Sequence, residues 1–327
     1  KKAGGVGGES SAGSPRKLAV KVERGSLTPP EGWKEIYDLV WELRKERDAP
    51  VDWAGSEALG VDEQGRVDKY HVLVALMLSS QTKDQVVADA MRKLKARGLT
   101  MANVVAMPDE ELDGYIAKVG FHNNKVKFLK QTAEILLARH AGEVPATAKE
   151  LCALPGIGPK MAYIILKGAH GVVDGIGVDT HMHRIFNVLG WVTSKTPEGT
   201  RAQLEGWLPR QEWSEINVLF VGFGQMTQQP EDRSRLWKRA LVCSRPNDAI
   251  RLAARLGAIV NLPADKTTGD TPLILATRAN LLESVDALLA VGAKRDEKNA
   301  TGETPLQIAE KAGYREVAAA LGNKGKR

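Results

Sequence analysis

Apolar residues recur at helical spacing through most of this chain. Over residues 33–45, Trp33, Ile36, Leu39, Val40 and Leu43 form one stripe with charged residues between them, which predicts an amphipathic helix. His71 to Met77 reads as a further helix of the core, and residues 124–138 and 200–208 repeat the pattern. The two-residue alternation of a half-buried strand is hard to place anywhere, so the expected fold class is all-α. Thr147 to Leu154 predicts a short helix that stops at Pro155, and a second helix starts near Lys160 and runs through Met161, Ile164, Ile165 and Leu166.

The turn between these two helices, Pro155-Gly156-Ile157-Gly158-Pro159, carries the first chemistry. Gly156 and Gly158 permit backbone conformations that a side chain forbids. Pro159 suits the first turn of a helix, where its missing N–H costs nothing. The free N–H groups and the positive dipole end at that start make an anion site, for which a nucleic-acid phosphate is the natural occupant. The other reading, an ordinary tight packing corner, stays open on these residues alone. Lys160 weighs against it, because a cation in the first turn opposes the helix dipole. An amine held there at the mouth of a cleft is a candidate nucleophile. Downstream, Asp179-Thr180-His181-Met182-His183-Arg184-Ile185 reads as a capping carboxylate followed by a helix. Asp179 can cap that helix and also face Lys160.

Five segments, in order and in spacing, resemble the endonuclease III family of helix-hairpin-helix bifunctional DNA glycosylases. They are Leu78-Ser79-Ser80-Gln81-Thr82-Lys83-Asp84, Val119-Gly120-Phe121, the hairpin with Lys160, Val178-Asp179-Thr180-His181, and Val221-Gly222-Phe223-Gly224-Gln225. The resemblance covers roughly residues 30–230. It implies a two-lobed all-helical fold with a DNA cleft between the lobes, Lys160 as Schiff-base nucleophile and Asp179 as catalytic carboxylate. It also implies DNA contacts from Gln81, from Phe121, Asn123 and Lys125 of the Phe121–Lys125 loop, from the hairpin glycines Gly156 and Gly158, and from His181. The family closes its C-terminus with four cysteines that hold an iron–sulfur cluster. Here those positions align with Gln228, Arg235, Lys238 and a residue beside Cys243. One thiol cannot hold a four-iron cluster, so no metal and no cofactor are expected. Arg233, Arg235, Lys238 and Arg239 then either contact phosphate or form a solvated helix face.

Composition agrees with this reading. The chain has 327 residues, 43% of them hydrophobic, and a formal charge of +6, which suits a polyanionic partner. Two cysteines exclude a disulfide framework. The apolar runs are too short for a membrane span, so no membrane partner is expected. The six histidines lack metal-ligand spacing, and His181 and His183, two apart, do not share a helix face. Residues 1–28 are rich in Gly, Ser, Lys and Arg and read as a disordered basic arm. Such an arm suits a solvated terminus, a transit-peptide remnant, a nuclear signal or a DNA-touching tail. Since the first residue is not Met, a processed chain or a fragment is expected.

Beyond the family-like region, Gly269-Asp270-Thr271-Pro272-Leu273 recurs as Gly302-Glu303-Thr304-Pro305-Leu306, 33 residues later, which is the ankyrin period. Asp248 to Gly257 resembles the first helix of a further, partial repeat. So few repeats bury little core of their own. The expected organisation is therefore an arm (1–28), a glycosylase domain (29–245) and a short ankyrin-like array (246–327) that leans on the glycosylase or on a protein partner. The expected function is base-excision repair of oxidised pyrimidines in double-stranded DNA, by glycosylase and AP lyase chemistry, in a monomer of the nucleus or mitochondrion. The alternatives are a glycosylase for another lesion such as 8-oxoguanine, and an inactive DNA-binding scaffold that works through its repeats.

Overall fold

The structure, a computed structural model, describes residues 22–62 and 64–323. Among them lie nineteen α-helices, and the sole extended pairing is an isolated bridge between Val61 and Val67. Helices α1 (Trp33–Leu43), α2 (Pro50–Ala54) and α3 (Ser56–Leu59) lead into a first lobe. That lobe comprises α4 (Lys69–Ser79), α5 (Asp84–Arg97), α6 (Met101–Ala106), α7 (Asp109–Ile116), α8 (His122–Arg139), α9 (Ala148–Leu151) and α10 (Pro159–His170). The chain then crosses to α11 (Thr180–Val188), α12 (Pro197–Trp207) and α13 (Ile216–Gln228), which pack with α1 as a second lobe. Three helix pairs complete the chain: α14 (Pro230–Ala240) with α15 (Pro246–Arg255), α16 (Pro272–Arg278) with α17 (Leu282–Ala290), and α18 (Pro305–Ala312) with α19 (Arg315–Gly322).

Each lobe has its own core. Helix α4 is the axis of the first: Tyr70 and every residue from Val72 to Leu78 are buried, in one apolar cluster that takes in Leu94, Leu129 and Ile165. A helix apolar all round must sit inside a bundle. The second core is aromatic. Phe186 stacks on Trp191 with centroids 5.3 Å apart and meets Phe220 at 4.8 Å, geometries that add about 0.5–1.5 kcal/mol each beyond burial. Arg44, fully buried as the C-cap of α1, crosses α13 where Gly222 leaves room: a Cβ there would lie 2.2 Å from the guanidinium. It reaches Asp52 of α2 through two bonds of 2.8 and 2.7 Å, a paired arrangement that keeps a buried charge tolerable.

Two expectations are corrected here. Residues 22–28 do not float. Leu27 donates its N–H to the carbonyl of Gly206 at 3.1 Å, and a Cβ on Gly206 would collide with Leu27 and Val22. Residues 1–21 lie outside the described residues. The Asp248–Gly257 segment is the second helix of a repeat, not the first. Gly257 (φ 98°) and Gly292 (φ 93°) end α15 and α17 in the same way, with Ala258 N–H bonding Ala253 C=O and Ala293 N–H bonding Leu288 C=O, both at 2.9 Å. The first helix of that unit is therefore α14, which packs on both α15 and α16 while also packing on α13.

The array is thus continuous with the second lobe. Leu236, Trp237, Ile250, Leu273, Leu288, Val317 and Leu321 belong to the same apolar cluster as Phe186 and Phe220. Ending the chain near Ser244 would strip this cover from α14. We expect such a truncation to lower Tm by about 10 °C or to cause aggregation, from the apolar area exposed. Residues 246–327 expressed alone should lack a cooperative melt. A truncated protein with an unchanged Tm would overturn this view.

Candidate active site

The hairpin follows from local geometry at one glycine rather than two. Gly156 has φ +77°, the left-handed region, and a Cβ there would lie 2.8 Å from the Phe128 ring. Gly158 has φ −108° and is the extended N-cap of α10, which corrects the expectation of a forbidden backbone there; a Cβ on it would meet no protein atom. Its value lies in leaving the helix start open to a close neighbour. Pro159 opens α10, and Lys160 follows it, exposed, in the first turn.

The crossing from α10 to α11 returns the chain to the first turns of α10. Residues 175–178 are buried and run along α10. A Cβ on Gly177 would lie 3.2 Å from the carbonyl oxygen of Lys160 and 2.5 Å from Ile164, so only glycine lets the segment pass this close. Two residues on, Asp179 caps α11, accepting the Met182 N–H at 2.8 Å through Oδ1. Gly224 of α13 allows similar closeness to His181, whose Cβ would be 3.1 Å from an added side chain.

A second carboxylate, without a role in the sequence reading, completes the group. Asp84, at the start of α5, accepts a hydrogen bond of 2.7 Å from Gln225 Nε2, while Gln225 Oε1 accepts the Val51 N–H at 3.0 Å. Gln225 thus ties the second lobe to the first across the cleft. Burial pushes the Asp84 carboxyl up, and the Gln225 hydrogen bond and the charges of Lys160 and His181 pull it back. Lys160, Asp179, His181 and Asp84 therefore share one electrostatic site at the junction of the lobes. The signal for Asp84 and Gln225 was present in the sequence: each is a polar residue inside a quoted motif, and Gln225 directly follows the apolar run Val218–Gly224.

On the rim of the first lobe, Gln81 and Phe121 sit side by side. A Cβ on Gly120 would lie 2.5 Å from the Gln81 carbonyl, and Gly120 donates its N–H to Thr82 Oγ1 at 3.1 Å. Both residues adopt left-handed φ, 52° and 57°, and both are exposed, Phe121 by 62%. An exposed aromatic on a strained backbone is built to touch something outside the protein. Asn123 is exposed in the first turn of α8 beside them. Between this rim and the hairpin lies a cavity of about 180 Å³ lined by Met77, Phe121, Phe128 and Gly156 among others. Lys125 is a correction. It is 5% exposed, and its ammonium donates to the carbonyls of Leu78 and Ser80, both at 2.7 Å, and to Thr82 Oγ1 at 3.3 Å. Burial pushes its pKa down to about 8. It satisfies carbonyls at the end of α4 and holds the Gln81 loop; the amine is not available to a phosphate.

The basic residues of α14 divide: Arg235 and Lys238 are exposed, as a solvated face requires, whereas Arg233 and Arg239 are not. Arg239 grips Asp48 at 3.0 and 2.7 Å, Arg235 reaches the same carboxylate at 3.2 Å, Lys238 pairs with Asp265 at 2.7 Å, and Arg233 is buried. They staple α14 to the α1–α2 loop and to the array. Nor do the positions of the family's cluster ligands fit iron and sulfide. Gln228, Arg235 and Lys238 offer no thiolate, and Cys243 donates its thiol to Ala240 C=O at 3.5 Å.

An all-α two-lobed fold, a helix-hairpin-helix, and a lysine and a capping aspartate that both act on Asp84 define a base-excision DNA repair protein of the helix-hairpin-helix class. Comparison with known proteins agrees. The family profile described as "HhH-GPD superfamily base excision DNA repair protein" matches residues 74–210, and that for "Ankyrin repeats (3 copies)" matches 241–327. Endonuclease III-like protein 1 of Bos taurus is 50% identical over 225 residues, 68% of this chain and 73% of that protein. The endonuclease III homolog of Schizosaccharomyces pombe is 46% identical over 209 residues, 63% and 59% of the two chains. The solved "Structure of a non-covalent Endonuclease III-DNA Complex" is similar with a TM-score of 0.52 and 26% identity, over 67% of this chain and 98% of that one. A trapped covalent endonuclease III–DNA intermediate gives 0.53 and 26%, over 67% and 94%. The chain belongs to the endonuclease III family and carries ankyrin repeats after its glycosylase fold.

The structural reading of Lys125 can be checked. Lys125→Met removes the donors and leaves two buried carbonyls unpaired, which should cost about 2–3 kcal/mol of folding stability in urea denaturation. An unchanged stability would mean that the ammonium is not structural.

Proposed function

We propose that this protein is a bifunctional glycosylase and AP lyase for oxidised pyrimidines in double-stranded DNA. The observation that supports this is the close pass of Gly177, two residues before Asp179, along the first turns of α10 that carry Lys160. The target nucleotide leaves the base stack, because its C1′ is out of reach within a duplex. The hairpin amides and the N-terminus of α10 hold a backbone phosphate. Gln81 and Phe121 fill the space that the base vacates.

The lone pair of Lys160 Nζ then forms a bond to C1′ as the C1′–base bond breaks, and the base leaves with its electron pair and takes up a proton. The ring opens to a protonated Schiff base. That cation acidifies the C2′ proton; its removal breaks the C3′–O bond by β-elimination and cuts the strand on the 3′ side. Asp179 stabilises positive charge at the sugar and assists proton transfer. The chemistry needs no metal, and we propose that the chain carries no iron–sulfur cluster. The repeats offer a surface for a protein partner, and the substrate places the enzyme in a DNA-bearing compartment.

Lys160→Gln should abolish both base release and borohydride trapping on an abasic-site duplex while duplex binding survives, since an amide cannot form an imine. Full trapping by this variant would assign the nucleophile elsewhere, and no adduct from the unsubstituted protein would favour a DNA-binding scaffold. Asp179→Asn should lower the single-turnover rate about 100-fold with little change in Tm, because Asn is still a good N-cap. A collapsed melt with an unchanged rate per folded molecule would make the carboxylate structural. A metal assay of the purified protein should find no iron; stoichiometric iron would defeat that part of the proposal.

A further inference from the structure

The seam between α11 and α15 contains an exchange that the proposed chemistry does not yet use. Arg184 of α11 donates from Nη1 to the carbonyl of Leu256, the C-cap of α15, at 2.8 Å. Arg255 of α15 donates from Nη2 to the carbonyl of Val188, the last residue of α11, at 2.6 Å. Each arginine therefore satisfies an orphan carbonyl at the C-terminal end of the other helix, where a cation is also favoured by the dipole. Ile185 and Phe186 of α11 and Ile250, Ala253 and Leu256 of the α15 segment share one apolar cluster under this exchange.

Helix α11 is the element that Asp179 caps. At about 1.5 Å per residue, its nine residues set the carboxylate about 14 Å from the Arg255 contact, on one rigid rod. The N-terminal half of that rod is held by Thr200, which meets His183 Nδ1 at 2.7 Å, and by α13. At its C-terminal end, this exchange with the first repeat pair is the polar contact from the array. Arg184 also keeps Nε and Nη2 buried without partners, a cost that a contact selected only for stability would avoid.

We propose that Arg184 and Arg255 are positioning residues, and that the first ankyrin pair holds the Asp179 carboxylate in register with Lys160 through α11. This rests on the catalytic reading of Asp179. In that arrangement the repeat array is part of the enzyme's active-site scaffold, joined to the chemistry through the far end of one helix.

The test uses the full chain and a duplex with one oxidised pyrimidine. Arg255 is exposed, so Arg255→Ala leaves no buried charge behind and should fold. We expect its single-turnover rate to fall about fivefold, since small misplacements of a catalytic group are costly. The duplex Kd should stay within about twofold, because the hairpin and the Gln81–Phe121 rim lie on the other lobe and His181 is the single expected contact on α11. Arg255→Lys, which keeps a donor and a charge, should recover most of the rate. Rates are expressed per molecule competent for borohydride trapping, so unfolded protein does not count. An Arg255→Ala rate equal to that of the parent would overturn the proposal, as would a lost rate that Lys fails to restore. Arg184→Met, which keeps the apolar stem, provides a second arm and should give the same split between rate and Kd. A parent protein with no trapping at all would refute the proposed function instead, before any variant is compared.

Discussion

The arrangement of the active site depends on one close approach, the passage of residues 175–178 along the first turns of α10. Both sides of the cleft meet there. Lys160 rises from the first lobe on the start of α10, and Asp179 enters the second lobe as the cap of α11. A methyl group at Gly177 would press on the Lys160 carbonyl and on Ile164, and one at Gly175 would strike the Tyr163 ring at 2.6 Å. Close packing leaves no slack for either. The glycines in this segment are therefore a distance constraint between two functional groups rather than a source of flexibility. The Gln225–Asp84 bond closes the same junction a second time from α13, with a carboxylate that burial makes reluctant to ionise.

The rim of the first lobe solves a different problem. Two non-glycine residues, Gln81 and Phe121, hold left-handed backbone, which costs about 1–2 kcal/mol each. Their loops brace one another through Gly120 and Thr82, and the Lys125 ammonium ties the end of α4 into the same knot. A buried lysine bound to carbonyls is thus the support for exposed residues that face outward. Its position in sequence, within the loop that reaches DNA in the family, made a phosphate contact the natural expectation. Burial along α8 turned the side chain inward instead.

Much of this was legible in the sequence because it rests on short-range rules. Helical periodicity, a proline at a helix start, a capping aspartate and a 33-residue repeat all act within a few turns of chain. The position of Lys160 at the start of α10, that of Asp179 as the cap of α11, and the all-helical class follow from them. The rest depended on contacts between distant segments. That Arg235 and Arg239 share Asp48, that Val22 and Leu27 pack on Gly206, and that Asp84 feels the charge of Lys160 are pairings across 76 to 191 positions, which no local pattern specifies. The register of the repeats was missed for a related reason. α14 lacks the Thr-Pro-Leu signature of α16 and α18, since its own start continues the glycosylase chain from α13.

That shared helix explains how so short an array persists. Stacked repeats need neighbours on both faces, and terminal units need a cap. Here α14 is at once the outermost helix of the second lobe, facing α13 and α1, and the inner helix of the first repeat, facing α15 and α16. The glycosylase core thereby serves as the N-terminal cap of the array. The region where relatives of this fold place a cysteine loop is instead closed by side chains: Leu236 and Trp237 inward, and Arg235, Lys238 and Arg239 paired with Asp48 and Asp265. Closure by apolar burial and ion pairs leaves no thiolate set to replace. It follows that the stability of the second lobe and that of the repeats are one quantity, and that a change in either is felt at α11.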